Sequence, residues 1–220
     1  MTHTTQRRGL DPSRPGEEII MLAMVPKSFR GKNEVSAAMG VLAAKMLEFG
    51  GDHWPKWTNK RLAKAAKDPK LVRLEVAFSD LKIVESLLND LQKNWIPRNR
   101  KLGYPISIVL TGLTGDTHSC CQKTGFVEHT YLFCLGPFGH TQELPEGDEL
   151  SLITMCGHGL IAKNLVRHIV KSLQNGKMTL EEAAEEIANP CQCGIVNDKR
   201  AHKILARLAN TARNKDIKGN

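Results

Sequence analysis

Leu150-Ser-Leu-Ile-Thr-Met-Cys156-Gly-His158-Gly159 and Pro190-Cys191-Gln-Cys193-Gly194 bound the stretch on which the reading of this chain turns. The first run places apolar residues at Leu150, Leu152, Ile153 and Met155 and reads as a short strand that hands over to a helix at Cys156. A helical pattern follows from Leu160 to Leu173 and stops at Asn175-Gly176. Thr179-Leu-Glu-Glu182 has the spacing of a capping box and opens a short helix to Ala188. Asn197-Asp198 then caps a last helix, Lys199 to Ala212. The C-terminal third is therefore expected to be helical, with Cys156 and the Cys191/Cys193 pair in two loops, each just ahead of a helix.

Upstream, strands and helices alternate. Glu18 to Val25 is an apolar run closed by Pro26 and reads as a buried strand. Asn33 is positioned to cap a helix through Val35, Met39, Leu42, Met46 and Leu47 that ends at Gly50-Gly51. From Leu71 to Phe78, Val72, Leu74, Val76 and Phe78 alternate with Arg73, Glu75 and Ala77, the pattern of a strand with one buried face. Ser79-Asp80 caps a helix with Leu81, Val84, Leu87, Leu88 and Leu91 at helical spacing. A single helix from Leu71 to Leu91 is the competing reading, because Leu74, Phe78, Leu81 and Leu88 also recur every three or four residues. Ile106 to Leu110 and His129 to Leu135 read as further strands, with Thr111 to Cys121 as a glycine-containing loop.

These elements predict an α/β or α+β fold with a mixed sheet of about four to five strands flanked by helices. Residues 1–17 are polar and arginine-rich and are expected to form a disordered basic tail. Residues 18–220 then form a single globular domain, with a metal-binding helical part over 156–213. No apolar run approaches the ~20 residues needed to span a bilayer, and the N-terminus lacks an apolar signal core, so the expected location is the cytoplasm. Thiols stay reduced there, and six cysteines point to metal or catalysis rather than to a disulfide frame. The net charge of +8 is uneven: 18 basic face 11 acidic residues up to Arg100, against 13 and 12 beyond it. A basic half attracts anionic ligands or nucleic acid, although a solvated charged surface has the same composition.

Chemistry concentrates on sulfur. Cys156, Cys191 and Cys193 precede helix starts, where the partial positive charge favours the thiolate. Iron–sulfur clusters take mainly cysteine ligands at varied spacings, whereas structural zinc usually takes C-x₂₋₄-C. The single residue between Cys191 and Cys193 therefore points to an iron–sulfur cluster, 4Fe-4S in type, with zinc held by Cys156, His158, Cys191 and Cys193 as the alternative. Buried structural cysteines are the plain reading of the same residues. In Gly115-Asp116-Thr-His118-Ser-Cys120-Cys121, Cys120 or Cys121 is a candidate fourth ligand, and Asp116, His118 and His158 are candidate proton carriers. Lys60, Lys64 and Lys67 fall on one helix face near Trp57, a pattern suited to phosphate and stacking contacts.

Two classes of function follow. One is an enzyme that uses its cluster for Lewis-acid or redox chemistry on a small anionic or sulfur-containing substrate. The other is a zinc-stabilised nucleic-acid-binding module, or a non-catalytic metal-binding accessory protein. No membrane partner is expected, and the sequence is silent on oligomeric state.

Overall fold

A computed structural model describes residues 8–51, 71–103, 105–130 and 138–218, with residues 212–218 described by backbone alone. The chain divides into two compact units. One covers Pro12–Tyr131; the other joins Met1–Asp11 to Leu132–Asn220.

The first unit is built on a three-stranded antiparallel sheet of β1 (Ile19–Met24), β2 (Arg73–Phe78) and β3 (Ser107–Thr111), in the order β2-β1-β3. β1 is central, so a continuous apolar run is what its position requires. Its register pairs Met21 with Val76 on one side and with Leu110 on the other. Ile19, Met21 and Ala23 share a face with Leu74, Val76 and Phe78. That face meets the apolar stripe of α1 (Asn33–Glu48), namely Val35, Ala38, Met39, Leu42 and Met46. It also meets Val84, Leu87 and Leu88 of α2 (Leu81–Asp90).

Strand followed by helix, and not one long helix, is thus what residues 71–91 adopt. The Asp80 carboxylate accepts the Lys82 N–H at 2.8 Å and starts α2. Asn33 does not act as a cap: it is the first residue of α1, and Lys32 ahead of it makes no side-chain capping bond. β2 also departs from strict alternation, since Glu75 and Ala77 on its second face are buried as well. Beyond α2 a π-helical turn, Leu91–Trp95, leads into α3 (Ile96–Asn99). The wider turn keeps both Leu91 and Trp95 in the core, and the Trp95 Nε1–H donates to the Ala38 carbonyl of α1 at 3.0 Å.

The expected mixed sheet of four to five strands is a three-stranded antiparallel one among the described residues. Two expected elements account for most of the difference. Residues 150–155 are helical, within α5 (Gly147–Met155), because Asp148 and Glu149 in its first turn complement the helix dipole. Its Leu152 and Met155, three apart, turn inward together, and a short apolar run does not by its pattern distinguish that arrangement from a strand. At 129–135, residues 126–130 are irregular and 131–137 lie outside the described residues, Cys134 among them. The loop expected at 111–121 is largely a helix, α4 (Thr114–Thr124), in which Cys120 and Thr124 are buried one turn apart.

The second unit is helical, as expected for the C-terminal third. It comprises α5, α6 (Lys163–Gln174), α7 (Leu180–Ala188) and α8 (Asp198–Lys218). The capping box is formed: Thr179 Oγ1 accepts the Glu182 N–H at 3.2 Å, and Glu182 Oε2 accepts the Thr179 N–H at 2.8 Å. α8 packs against α5, α6 and α7 and buries Ala201, Ile204 and Leu205. Arg207 of α8 grips Asp148 of α5 through two hydrogen bonds of 2.9 and 2.7 Å, the paired geometry that suits a guanidinium and a carboxylate. Residues 8–11 belong to this unit: Leu10 is buried, and the Gly9 carbonyl accepts a hydrogen bond from Ser151 of α5. Among the described residues, no helix is long and apolar enough to cross a membrane.

Candidate metal centre

Cys156 ends α5, so its sulfur is delivered by a helix C-terminus rather than by the strand end that the sequence suggests. The chain then turns sharply, with the Gly159 N–H bonded to the Cys156 carbonyl at 2.9 Å and Gly159 at φ +70°. That left-handed conformation is one that a side chain at this position would resist. Cys191 follows α7 in a similar way. Its N–H bonds the Ala188 carbonyl at 3.0 Å, and the Gly194 N–H returns to the Cys191 carbonyl at 3.1 Å, with Gly194 at φ +72°. Both loops are thus tight turns anchored on helix ends, the rigid mounting that a ligand set needs.

The two turns bring three thiols together. Cys156, Cys191 and Cys193 are all buried. Cys191 Sγ lies 3.6 Å from Cys193 Sγ, and Cys156 is hydrogen-bonded to Cys191. Backbone donors close on the sulfurs: the N–H groups of Leu160 and His158 reach Cys156, and those of Val196 and Gly194 reach Cys191. The Cys156 and Cys193 hydrogen bonds, with the two N–H donors, hold the Cys191 thiol far below the ordinary thiol range, against the opposing effect of burial. Cys156 is pushed the opposite way, first by its hydrogen bond to Cys191 and then by burial.

Cys191 is thus the thiol that the other two meet. Among the described residues, no group of three or more His, Cys, Asp or Glu side chains is arranged so that it could hold a metal ion. His158, in the same turn as Cys156, is exposed.

The remaining sequence-derived candidates lie elsewhere. Cys120 and Cys121 are in the sheet unit, on α4. Cys120 packs into the core of that unit, where burial pushes its thiol up to about 12. Burial and then the Glu128 carboxylate raise Cys121. Neither thiol is poised as a thiolate. Asp116 Oδ2 accepts the Gly16 N–H at 2.7 Å, which ties the segment ahead of β1 to the first turn of α4. His118 Nδ1 meets Glu128 Oε1 at 2.8 Å, so Glu128 joins His118 and Cys121 in one cluster. Sequence reasoning misses Glu128 because no spacing rule links a carboxylate past a helix end to that helix's outer face. Trp57, Lys60, Lys64 and Lys67 lie outside the described residues.

The helical unit also has a groove of about 300 Å³ lined by Glu149, Val166, Arg167, Lys171 and Leu208 among others. No cysteine lines it, so it gives no access to the thiols. Comparison with family models, curated proteins and solved structures found no match to this chain.

Proposed function

We propose that Cys156, Cys191 and Cys193 hold an iron–sulfur cluster of the 4Fe-4S type. On this reading the protein is an enzyme acting on a small anionic or sulfur-containing substrate. The observation that carries the proposal is the meeting of three buried thiols on two tight turns, with Cys191 Sγ 3.6 Å from Cys193 Sγ.

Cys156, Cys191 and Cys193 would hold the group, which when bound would supply Lewis-acid or redox chemistry toward the substrate. The chain's own contributions follow from the geometry. Burial of the sulfurs keeps bulk water from the ligand bonds, and the turns at Gly159 and Gly194 fix the ligand backbone. Ligation by thiolates would displace the thiol protons, so loading would release protons and strengthen with rising pH. His158, exposed beside Cys156, is the residue of this unit positioned to exchange a proton with a bound substrate.

The test is anaerobic purification followed by metal and sulfide analysis. The expected result is a brown protein with broad visible absorption, carrying iron and acid-labile sulfide. Stoichiometric zinc without iron turns the reading to a zinc site, and protein free of both metals after attempted reconstitution overturns it.

A further inference from the structure

Cys191 and Cys193 lie on one surface turn, separated by a single exposed residue, Gln192. The turn closes through the Gly194 N–H on the Cys191 carbonyl at 3.1 Å, with Gly194 at φ +72°. It sets the two sulfurs against each other, Cys191 Sγ 3.6 Å from Cys193 Sγ. Both thiols keep a little exposure, 8% and 9%, whereas Cys156 beside them has none. Two residues apart, Cα atoms are separated by no more than about 7 Å even in extended chain. A turn shortens that into the window of about 4.4–6.8 Å that a disulfide accepts. Cys120 and Cys121 are no such pair: they are neighbours on α4, where successive side chains point in different directions, and Cys120 is packed into the sheet-unit core.

From this contact we propose that Cys191 and Cys193 form a reversible dithiol–disulfide couple in the metal-free chain, with a hydroperoxide as the oxidant. One thiol attacks the peroxide O–O bond and becomes a sulfenic acid, and its proton leaves with the departing oxygen as water. The other thiol attacks the sulfenic sulfur, forms the S–S bond and releases a second water. The pair loses two electrons and two hydrogens, and the peroxide is reduced. To bond, the sulfurs close by about 1.6 Å from their 3.6 Å contact. A ring over so few residues gains little loop entropy and is strained, so a dithiol reductant readily reopens it, leaving as its own disulfide. The inference does not depend on the cluster reading. Where that reading holds, the disulfide is the oxidised form of the empty site and withholds two of its three ligands until it is reduced.

The test uses full-length, chelator-stripped, reduced protein, treated with hydrogen peroxide while folded. It is then alkylated under denaturing conditions and digested with trypsin, which leaves both cysteines on one peptide, residues 178–199. This peptide is expected to escape alkylation and to be lighter by two hydrogens, and dithiothreitol is expected to restore its alkylation. Cys156→Ser is expected to behave as wild type. A peptide alkylated at both positions overturns the inference, as does linkage of Cys191 to Cys156 or oxidation to sulfinic acid without a bond. Loss of the bond in folded Cys156→Ser protein overturns it likewise, and so does a bond that forms equally fast in urea, because the folded turn then contributes nothing. Iron-free wild-type protein overturns the cluster reading and leaves this result standing, whereas iron-loaded wild type whose stripped form does not bond overturns this inference alone.

Discussion

Replacing Cys191 with alanine separates a metal-binding trio from three incidental core thiols, because its sulfur is the point at which the others meet. In metal-free protein, Cys191→Ala removes the sulfur on which the other two thiols converge from a site only 8% exposed, and takes from the Val196 N–H the sulfur it faces. An unmet donor of this kind brings the cost to about 2 kcal/mol, a fall of roughly 4–8 °C in Tm for a chain of this length. A ligand that binds only the folded state adds about 4 kcal/mol when present at a thousand times its Kd, so a tightly held cluster outweighs that cost. The assay is thermal unfolding by circular dichroism on anaerobically isolated and chelator-stripped samples, with iron measured in both. Wild type is expected to show a clear iron-dependent gap in Tm. In Cys191→Ala the gap closes and iron falls to background, while the stripped sample drops by only a few degrees. Cys120→Ala is the control: it loses stability from the sheet-unit core but keeps both iron and gap. Retention of iron and gap in Cys191→Ala refutes the reasoning.

Three further outcomes follow from the packing. Trp95→Phe removes the indole N–H that the buried Ala38 carbonyl accepts, so chemical denaturation is expected to show a loss of about 1–2 kcal/mol with no change in iron content. Thr179→Ala breaks the capping box at the start of α7, at a cost of about 1 kcal/mol in urea unfolding, and leaves the cysteine turn at the far end of the helix intact. The Asp90 carboxyl is held below the usual carboxylate range, chiefly by its hydrogen bond to Lys45 and with help from Asn94. A depressed carboxylate stabilises the fold above its unfolded pKa and loses that contribution as pH falls through the folded value. Wild type is therefore expected to exceed Asp90→Asn by about 0.5–1 kcal/mol near neutrality, the value being reduced for partial exposure, and the margin should shrink below about pH 4. An equal margin at pH 7 and pH 3 would contradict that assignment.

Local chemistry made several features legible from the amino-acid order. β1 is a continuous apolar run, and a central strand covered on both sides needs little else. The α2 cap at Asp80 and the capping box at Thr179 and Glu182 each bond within three residues, so their signals lie entirely in the neighbouring sequence. The grouping of the Cys156 turn with the Cys191–Cys193 turn rests in the sequence on their shared position just ahead of helix-like segments, although the strand expected to deliver Cys156 is a helix. Only the tertiary structure decides the rest. Leu150, Leu152 and Met155 satisfy a strand pattern and a helix pattern alike, and it is packing against α8, with the Asp148–Arg207 pair, that selects the helix. Asp116 and His118 resemble loop-borne acid–base groups until Thr114–Thr124 winds into α4 and engages them with Gly16 and Glu128. The contact between the Cys191 and Cys193 sulfurs is likewise absent from the C-x-C spacing. Side chains two residues apart point together or apart according to the backbone between them, and it is the turn closed by the Gly194 N–H that sets both thiols against one another.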